Sequence, residues 1–185
     1  MADEQRLQPF QADAPNRPDG EEAIDEFFGW MGRDGMETIE RVSKHLHGIP
    51  LLQDLIDALP IPVALLNDKA QIVLMNRRWF RLLGEDVDQA LGKRYGELLG
   101  CIHAADGLDG CGTSRHCARC GAFRSILSSG RSRTEAIHAY HLQRYTADGV
   151  EAADLVVTST PIEVDGHHFT VFALQESLDC SSVGT

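Results

Sequence analysis

The order of short apolar runs along the chain is the feature that most limits its fold. Two runs that are short enough for strands come first, joined by a turn at residues 67–70, and this spacing predicts a hairpin. Three longer alternating runs come last, the final two joined by an Asp165-Gly166 turn. We predict strands at residues 61–67, 71–76, 134–143, 152–164 and 168–174. The predicted order of elements is therefore two strands, a set of helices, and three strands.

Helical periodicity precedes these strands and separates the first two from the last three. In the first helical segment, interrupted at residues 32–35, apolar residues recur at intervals of three and four. Within the segment 77–83 we expect Trp79, Phe80 and Leu83 to point inward. We predict helices at residues 21–47, 51–59, 77–83, 86–99 (as one or two pieces) and 122–129, the last ended by Gly130.

Composition and charge restrict the class of protein. A chain of 185 residues with 43% hydrophobic residues suits one globular domain with an extension. The formal net charge of -11 argues against nucleic acid as a partner, because phosphate contacts need clustered positive charge. No apolar run approaches the length of a membrane span, and the polar N-terminus lacks a signal peptide pattern. We therefore expect a cytoplasmic protein.

Four of the five cysteines lie within twenty residues and carry the chemistry of the chain. Thiols stay reduced in the cytoplasm, so clustered cysteines there indicate a metal or redox site more often than disulfides. The spacing is C-x9-C-x5-C-x2-C in a glycine-rich segment without periodicity, and a cation would remove the repulsion between neighbouring thiolates. The predicted cofactor and metal ligands are Cys101, Cys111, Cys117 and Cys120.

The spacing leaves the identity of the centre open. Structural zinc sites usually carry two Cys-x-x-Cys pairs, whereas this segment has one, and iron–sulfur sites tolerate irregular spacing. We therefore favour an iron–sulfur cluster, 4Fe-4S above other types, with zinc and a metal-free thiol switch as alternatives. Basic residues in the same region could neutralise the charge of such a centre or simply form a solvated face. These residues are Arg115, Arg119, Arg124, Arg131 and Arg133.

The first strands carry a resemblance to a known family. Residues 59–67 read LPIPVALLN, and residues 72–84 read IVLMNRRWFRLLG. Asn76 closes the second strand, and Phe80 follows it, ahead of a Leu83-Gly84 pair. This arrangement resembles PAS domains of bacterial sensor kinases, and the likeness covers roughly residues 51–176. It implies an α+β fold with a five-stranded antiparallel sheet flanked by short helices.

A narrower resemblance concerns the cysteines. The stretches GCIHA from residue 100, GCG from residue 110 and CARCGA from residue 117 resemble a cysteine-bearing subgroup of bacterial PAS sensors. The resemblance implies a sensor of redox state, oxygen or another gas. Because only a short tail follows the last strand, output would pass by contact to a separate signalling protein such as a kinase or regulator. A zinc-stapled adaptor without sensing chemistry is the alternative, and a small thiol oxidoreductase is a third hypothesis.

These predictions divide the chain into a disordered tail (1–20), a helical extension (21–50), a PAS domain (51–176) with a cysteine-rich insert (100–121), and a C-terminal tail (177–185). PAS-like proteins often pair through such an extension, so we expect a homodimer or partner interface there, with packing on the chain's own sheet as the alternative. The apolar residues that would form it are Phe27, Phe28, Trp30 and Met31.

The remaining thiol and histidine side chains receive weaker predictions. His103 and His116 lie in the insert and would replace a cysteine ligand, support one by a hydrogen bond, or face solvent. His138 and His141 differ in strand parity, so they should face opposite sides of the sheet and make poor joint ligands. Cys180 is expected to be a free thiol. Because adjacency of Cys117 to His116 is no sign of a catalytic pair, we expect no enzyme activity.

Overall fold

A computed structural model describes residues 32–83 and 89–177. The predictions for the tail 1–20, for Phe27, Phe28, Trp30 and Met31 and for Cys180 lie outside these residues. The helices are α1 (Met36–His47), α2 (Leu52–Ala58), α3 (Arg78–Leu83), α4 (Tyr95–Leu98), a 3-10 helix (Arg115–Arg119) and α5 (Gly121–Ser132). The strands are β1 (Val63–Leu66), β2 (Ile72–Met75), β3 (Ala136–Thr146), β4 (Gly149–Val164) and β5 (His167–Glu176).

The strands form one five-stranded sheet in the order β2-β1-β5-β4-β3, and every neighbouring pair is antiparallel. This confirms the predicted α+β architecture with an antiparallel sheet. The first hairpin is closed by Asn67, whose side-chain oxygen accepts hydrogen bonds from the backbone N–H groups of Lys69 and Gln71. The last hairpin turns at Asp165 and Gly166, as predicted, and both have positive φ.

The strands β1 and β2 are buried on both faces. All four residues of β1 are buried, although successive side chains point to opposite sides. On one side, Ile39 and Leu46 of α1 pack in a cluster with Leu65 and Phe169. On the other side, Trp79, Tyr95, Tyr140 and Phe172 belong to a second cluster under the helices between β2 and β3. The sheet is therefore the middle layer of three, and the second cluster lies beside the cysteine segment.

Asn76, which ends β2, connects three elements through a fully buried side chain. Its oxygen accepts from the N–H of Val63 at 3.0 Å, and its amide group donates to the carbonyls of Ile56 and Ile61 at 2.9 and 2.8 Å. Buried polar groups need such partners. The asparagine that carries part of the family resemblance therefore joins α2, β1 and β2.

Two predictions about helices were wrong. Phe80 was expected to face the core, but its side chain is 50% exposed, because α3 is only six residues long and directs Trp79 inward instead. Gly130 was expected to end α5, but the helix continues to Ser132 and stops before Arg133, which has a φ of 57°. An exposed helical glycine costs only about 1 kcal/mol, which the buried face of α5 outweighs.

No helix within the described residues is long and apolar enough to cross a membrane.

Candidate metal centre

A cavity of about 850 Å³ lies between α4, the cysteine segment, the 3-10 helix and β3. Its walls include all four of the predicted ligands, Cys101, Cys111, Cys117 and Cys120. Tyr95 of α4 and Tyr140 of β3 complete the buried part of the lining. The fold therefore brings the clustered cysteines of the sequence to one space.

Three of the four thiols are held by different local structures. Cys111 is buried under Gly96, where an added Cβ would lie 2.5 Å from the cysteine sulfur. The sulfur of Cys117 accepts a hydrogen bond from the N–H of Gly112 at 3.3 Å. The sulfur of Cys120 lies 3.7 Å from the hydroxyl oxygen of Tyr95. Close backbone packing and N–H···S contacts therefore position these sulfurs without any disulfide among the described cysteines.

The sulfurs share the cavity without forming a close group of three. Among the described residues, no three of the four thiol sulfurs lie within 4.8 Å of one another, which distinguishes them from a histidine–aspartate group nearby. Tetrahedral zinc with Zn–S bonds of about 2.3 Å would bring its sulfurs to roughly 3.8 Å apart. The arrangement is therefore wider than a closed tetrathiolate zinc site.

Arg94 and Glu97 hold the cysteine segment against α4, and the sequence analysis missed both. The guanidinium of Arg94 is 1% exposed and donates to the carbonyls of Asp109 and Cys111 at 3.1 and 2.9 Å. Glu97 accepts from the N–H of Cys111 at 3.0 Å and pairs with Arg33. The one signal in the sequence is that Glu97 stands three residues after Arg94, at the start of a short helix, where such a carboxylate caps the backbone.

Two buried tyrosine hydroxyls face the cavity. The hydroxyl of Tyr140 has no hydrogen-bond partner within the described part of the chain. A buried hydroxyl without a partner is costly, and Tyr140 lies close enough to Cys101 for the two groups to affect each other's ionisation. The donor set of four thiols, with the Tyr140 hydroxyl close to Cys101, therefore fits a sulfur-rich inorganic group.

Burial raises the pKa of three of the thiols. The pKa of Cys111 lies well above its usual range, because the site is poorly solvated and Cys117 is near. Burial is also the main cause of the raised pKa of Cys101 and of Cys120. Reactive thiols have a lowered pKa instead. These three thiols are therefore protonated at neutral pH in the metal-free protein, and a metal would have to displace those protons.

The raised pKa values predict a pH dependence of stability for the metal-free protein. The thiols ionise in the unfolded chain near pH 9.0 but stay protonated when folded, so their contribution is complete below that pH and is lost above it. Each such thiol should lower the free energy of unfolding by about 1.4 kcal/mol per pH unit. Urea unfolding at several pH values would measure this slope, and Cys111→Ser should reduce it. An unchanged slope in that variant would contradict the assignment.

The basic residues of this region divide into two groups. Arg115 and Arg119 line the cavity. The other three belong to α5 and its end: Arg131 is exposed in the last turn, and Arg133 donates to the imidazole of His168. Burial, together with the charge of Arg124, lowers the pKa of His138. Two of the arginines that the sequence analysis named are therefore placed to offset negative charge in the cavity.

Two pairs of histidines lie near the cavity or on β3. His138 and His141 are oriented as predicted, and His103 and His116 meet, which the sequence did not predict. His138 is half-buried, whereas His141 is exposed and pairs with Asp154 at 2.6 Å, so the two face opposite sides of β3. His103 and His116 lie at the cavity wall with their rings stacked 3.9 Å apart. Sequence spacing alone did not indicate that these two imidazoles would meet.

Comparisons with known proteins agree with the topology. The family profile described as a PAS domain matches residues 51–116, which include β1, β2 and the start of the cysteine segment. The fold is PAS-like. The match ends before β3, so Cys101 and Cys111 lie within the matched residues, and Cys117 and Cys120 follow them.

Solved PAS domains are similar to this chain at low sequence identity. The PAS domain of nitrogen regulation protein NR(II) from Vibrio parahaemolyticus is 12% identical, with 70% of this chain and 100% of that chain covered and a TM-score of 0.48. The PAS domain of an HTR-like protein from Haloarcula marismortui is 16% identical, with 77% and 97% covered and a TM-score of 0.47. The PAS domain of Bordetella pertussis BvgS is 14% identical, with 70% and 85% covered and a TM-score of 0.44. No curated protein sequence matches the chain.

Proposed function

We propose that this protein is a PAS-type sensor of redox state, oxygen or another gas that binds an iron–sulfur cluster through Cys101, Cys111, Cys117 and Cys120. The observation that carries the proposal is that all four thiols line one cavity. Bound there, a cluster would supply one-electron redox chemistry and reactivity toward oxidants. The protein acts as a regulator without catalytic activity of its own.

The width of the thiol arrangement favours a cluster over a single zinc ion. A cluster places several metal and sulfide atoms between its cysteine ligands, whereas zinc binds four sulfurs directly. The four thiols line a cavity of about 850 Å³, and no three of their sulfurs lie close together among the described residues. This spacing suits an iron–sulfur cluster, which is larger than a zinc ion. The raised pKa of Cys111 also weighs against a metal-free thiol switch, which needs a reactive thiolate.

The residues around Cys120 provide a route from the cavity to the sheet. Cys120 directly precedes α5, which packs against β3 and β4. At Gly121 the helix approaches β3 so closely that an added Cβ would lie 1.7 Å from the carbonyl oxygen of Ala139. Ser125 of the same helix donates to the hydroxyl of Ser159 in β4 at 2.8 Å. A displacement of Cys120 would therefore move α5 against both strands.

The proposed output is contact with another protein. The helical extension 21–50 remains our candidate for a homodimer interface and for contact with a separate kinase or regulator in the cytoplasm. Its described part includes α1, whose Ile39 and Leu46 are already buried against the sheet. Met36 at the start of α1 is 50% exposed and is the apolar residue of this helix that a partner could contact.

The proposal is tested by purifying the full chain without oxygen and measuring iron, acid-labile sulfide and zinc. We expect iron and sulfide in equal amounts, a visible absorption band, and bleaching of that band on exposure to air. If the analysis finds zinc and no sulfide, the result would contradict the sensor and support the zinc-stabilised adaptor. Full recovery of folded protein with neither metal would contradict both functions.

A further inference from the structure

A second group of potential metal ligands lies at the wall of the cavity and uses no thiol. One nitrogen from His103, one from His116 and one carboxylate oxygen of Asp106 all lie within 4.8 Å of one another. His103 is half-buried, whereas Asp106 and His116 are exposed, so solvent reaches the group. Two imidazoles and a carboxylate form a donor set that binds zinc and other divalent transition metals.

Local backbone structure places the three residues beside one another. His103 and Asp106 belong to one turn, in which the N–H of Asp106 donates to the carbonyl of His103 at 3.3 Å. Their side chains pair at 2.9 Å between Nδ1 and the carboxylate. His116 comes from the start of the 3-10 helix, where its N–H donates to the hydroxyl of Ser114 at 3.2 Å. Two separate parts of the cysteine segment therefore deliver the ligands to one point.

The convergence of three ligands separates this group from the other histidine–carboxylate pairs. His45 pairs with Asp165 at 3.0 Å and His141 pairs with Asp154 at 2.6 Å, but neither pair has a third ligand among the described residues. A single exposed ion pair of this kind contributes little to stability. Two ligands alone do not hold a metal ion. The difference makes His45 a matched control for the group at residues 103, 106 and 116.

We propose that His103, Asp106 and His116 form a second metal site, which binds one divalent transition metal ion such as Zn²⁺ through nitrogen and oxygen ligands. Three protein ligands leave a coordination position for water or another small ligand. The ion would cross-link residues 101–106 to residues 115–119 at the cavity wall. This site goes beyond the proposed cluster, because it requires none of the four thiols.

The test uses the full chain as purified without oxygen and Co²⁺ as the probe. Thiolate ligation gives Co²⁺ intense near-ultraviolet bands, whereas imidazole and carboxylate ligation gives weak visible bands alone. We expect the wild type to bind one Co²⁺ with the second spectrum. His103→Ala, His116→Ala and Asp106→Asn should each weaken cobalt binding by at least about tenfold. That factor is the lower end of the loss in metal affinity when a residue that only hydrogen-bonds to a ligand is removed. His45→Ala should leave it unchanged.

Two results would overturn the site. One is cobalt binding that keeps its affinity in His116→Ala, and the other is a wild-type spectrum in which every bound Co²⁺ shows thiolate bands. Nuclear magnetic resonance of the histidine rings in the wild type needs no variant: Zn²⁺ should shift the ring nitrogens of two histidines and leave the other rings in place. The iron and sulfide content is measured separately, so failure of the cluster proposal would not be confused with failure of this one.

Discussion

Replacement of Cys111 by serine is expected to abolish the iron and acid-labile sulfide bound by the protein purified without oxygen. Cys111 is the most buried of the four thiols, and its N–H and carbonyl are held by Glu97 and Arg94. A serine hydroxyl is a poor ligand for iron compared with a thiolate. Because the backbone of residue 111 is held in place, the serine oxygen would take the position of the cysteine sulfur. Iron and sulfide analysis with the visible spectrum measures the loss.

The fifth cysteine provides the matched control for that experiment. Cys180→Ser makes the same chemical change outside the cluster predicted from the sequence and should keep full iron and sulfide content. Near-ultraviolet circular dichroism of both variants would show whether the tyrosine-rich cavity wall remains packed. Normal cluster content in folded Cys111→Ser protein, or equal loss in Cys180→Ser, would contradict the assigned ligand set.

Replacement of Arg94 by methionine should destabilise the protein by at least about 3 kcal/mol, because it leaves one buried and three partly buried carbonyls without this donor. The Arg94 guanidinium donates to Lys69, Asp109 and Cys111 carbonyls at 2.9 to 3.1 Å, and to Gly32 at 2.9 Å. Methionine fills similar space but donates nothing. Urea unfolding of the metal-free protein measures the change in the free energy of unfolding.

Two further variants separate the role of this network from charge alone. Arg144→Met removes a half-exposed arginine paired with Glu151 and should change stability by less than about 1 kcal/mol. Arg94→Lys keeps the charge but loses the planar fork of donors, so it should recover only a minor part of the loss. Equal effects of Arg94→Met and Arg144→Met would show that the buried network adds nothing beyond a surface ion pair.

The sequence predicted the elements whose signals are local. The periodicity of residues 36–46 predicted α1, the Asn67 and Asp165-Gly166 turns predicted both hairpin connections, and alternation predicted β3 to β5. Errors occurred where tertiary packing outweighed a local signal. Gly130 lies within α5 because the helix continues to Ser132 and stops only before Arg133, whose backbone is left-handed. Phe80 is exposed because Trp79 fills the adjacent core.

The sequence also determined which residue types could form a centre, since four cysteines within twenty residues of a glycine-rich segment have few other uses. Only the tertiary structure decided how they are arranged. The walls of their cavity come from α4 and the insert, which are adjacent in sequence, and from β3, which follows only after α5. The spacing of Arg94 and Glu97 marks a helix start, but no local pattern indicates that Arg94 donates to the carbonyl of Cys111. The meeting of His103 with His116 likewise depends on the path of the insert. Periodicity reports which side of one element is buried, whereas a site built from several elements depends on long-range packing that no local pattern records.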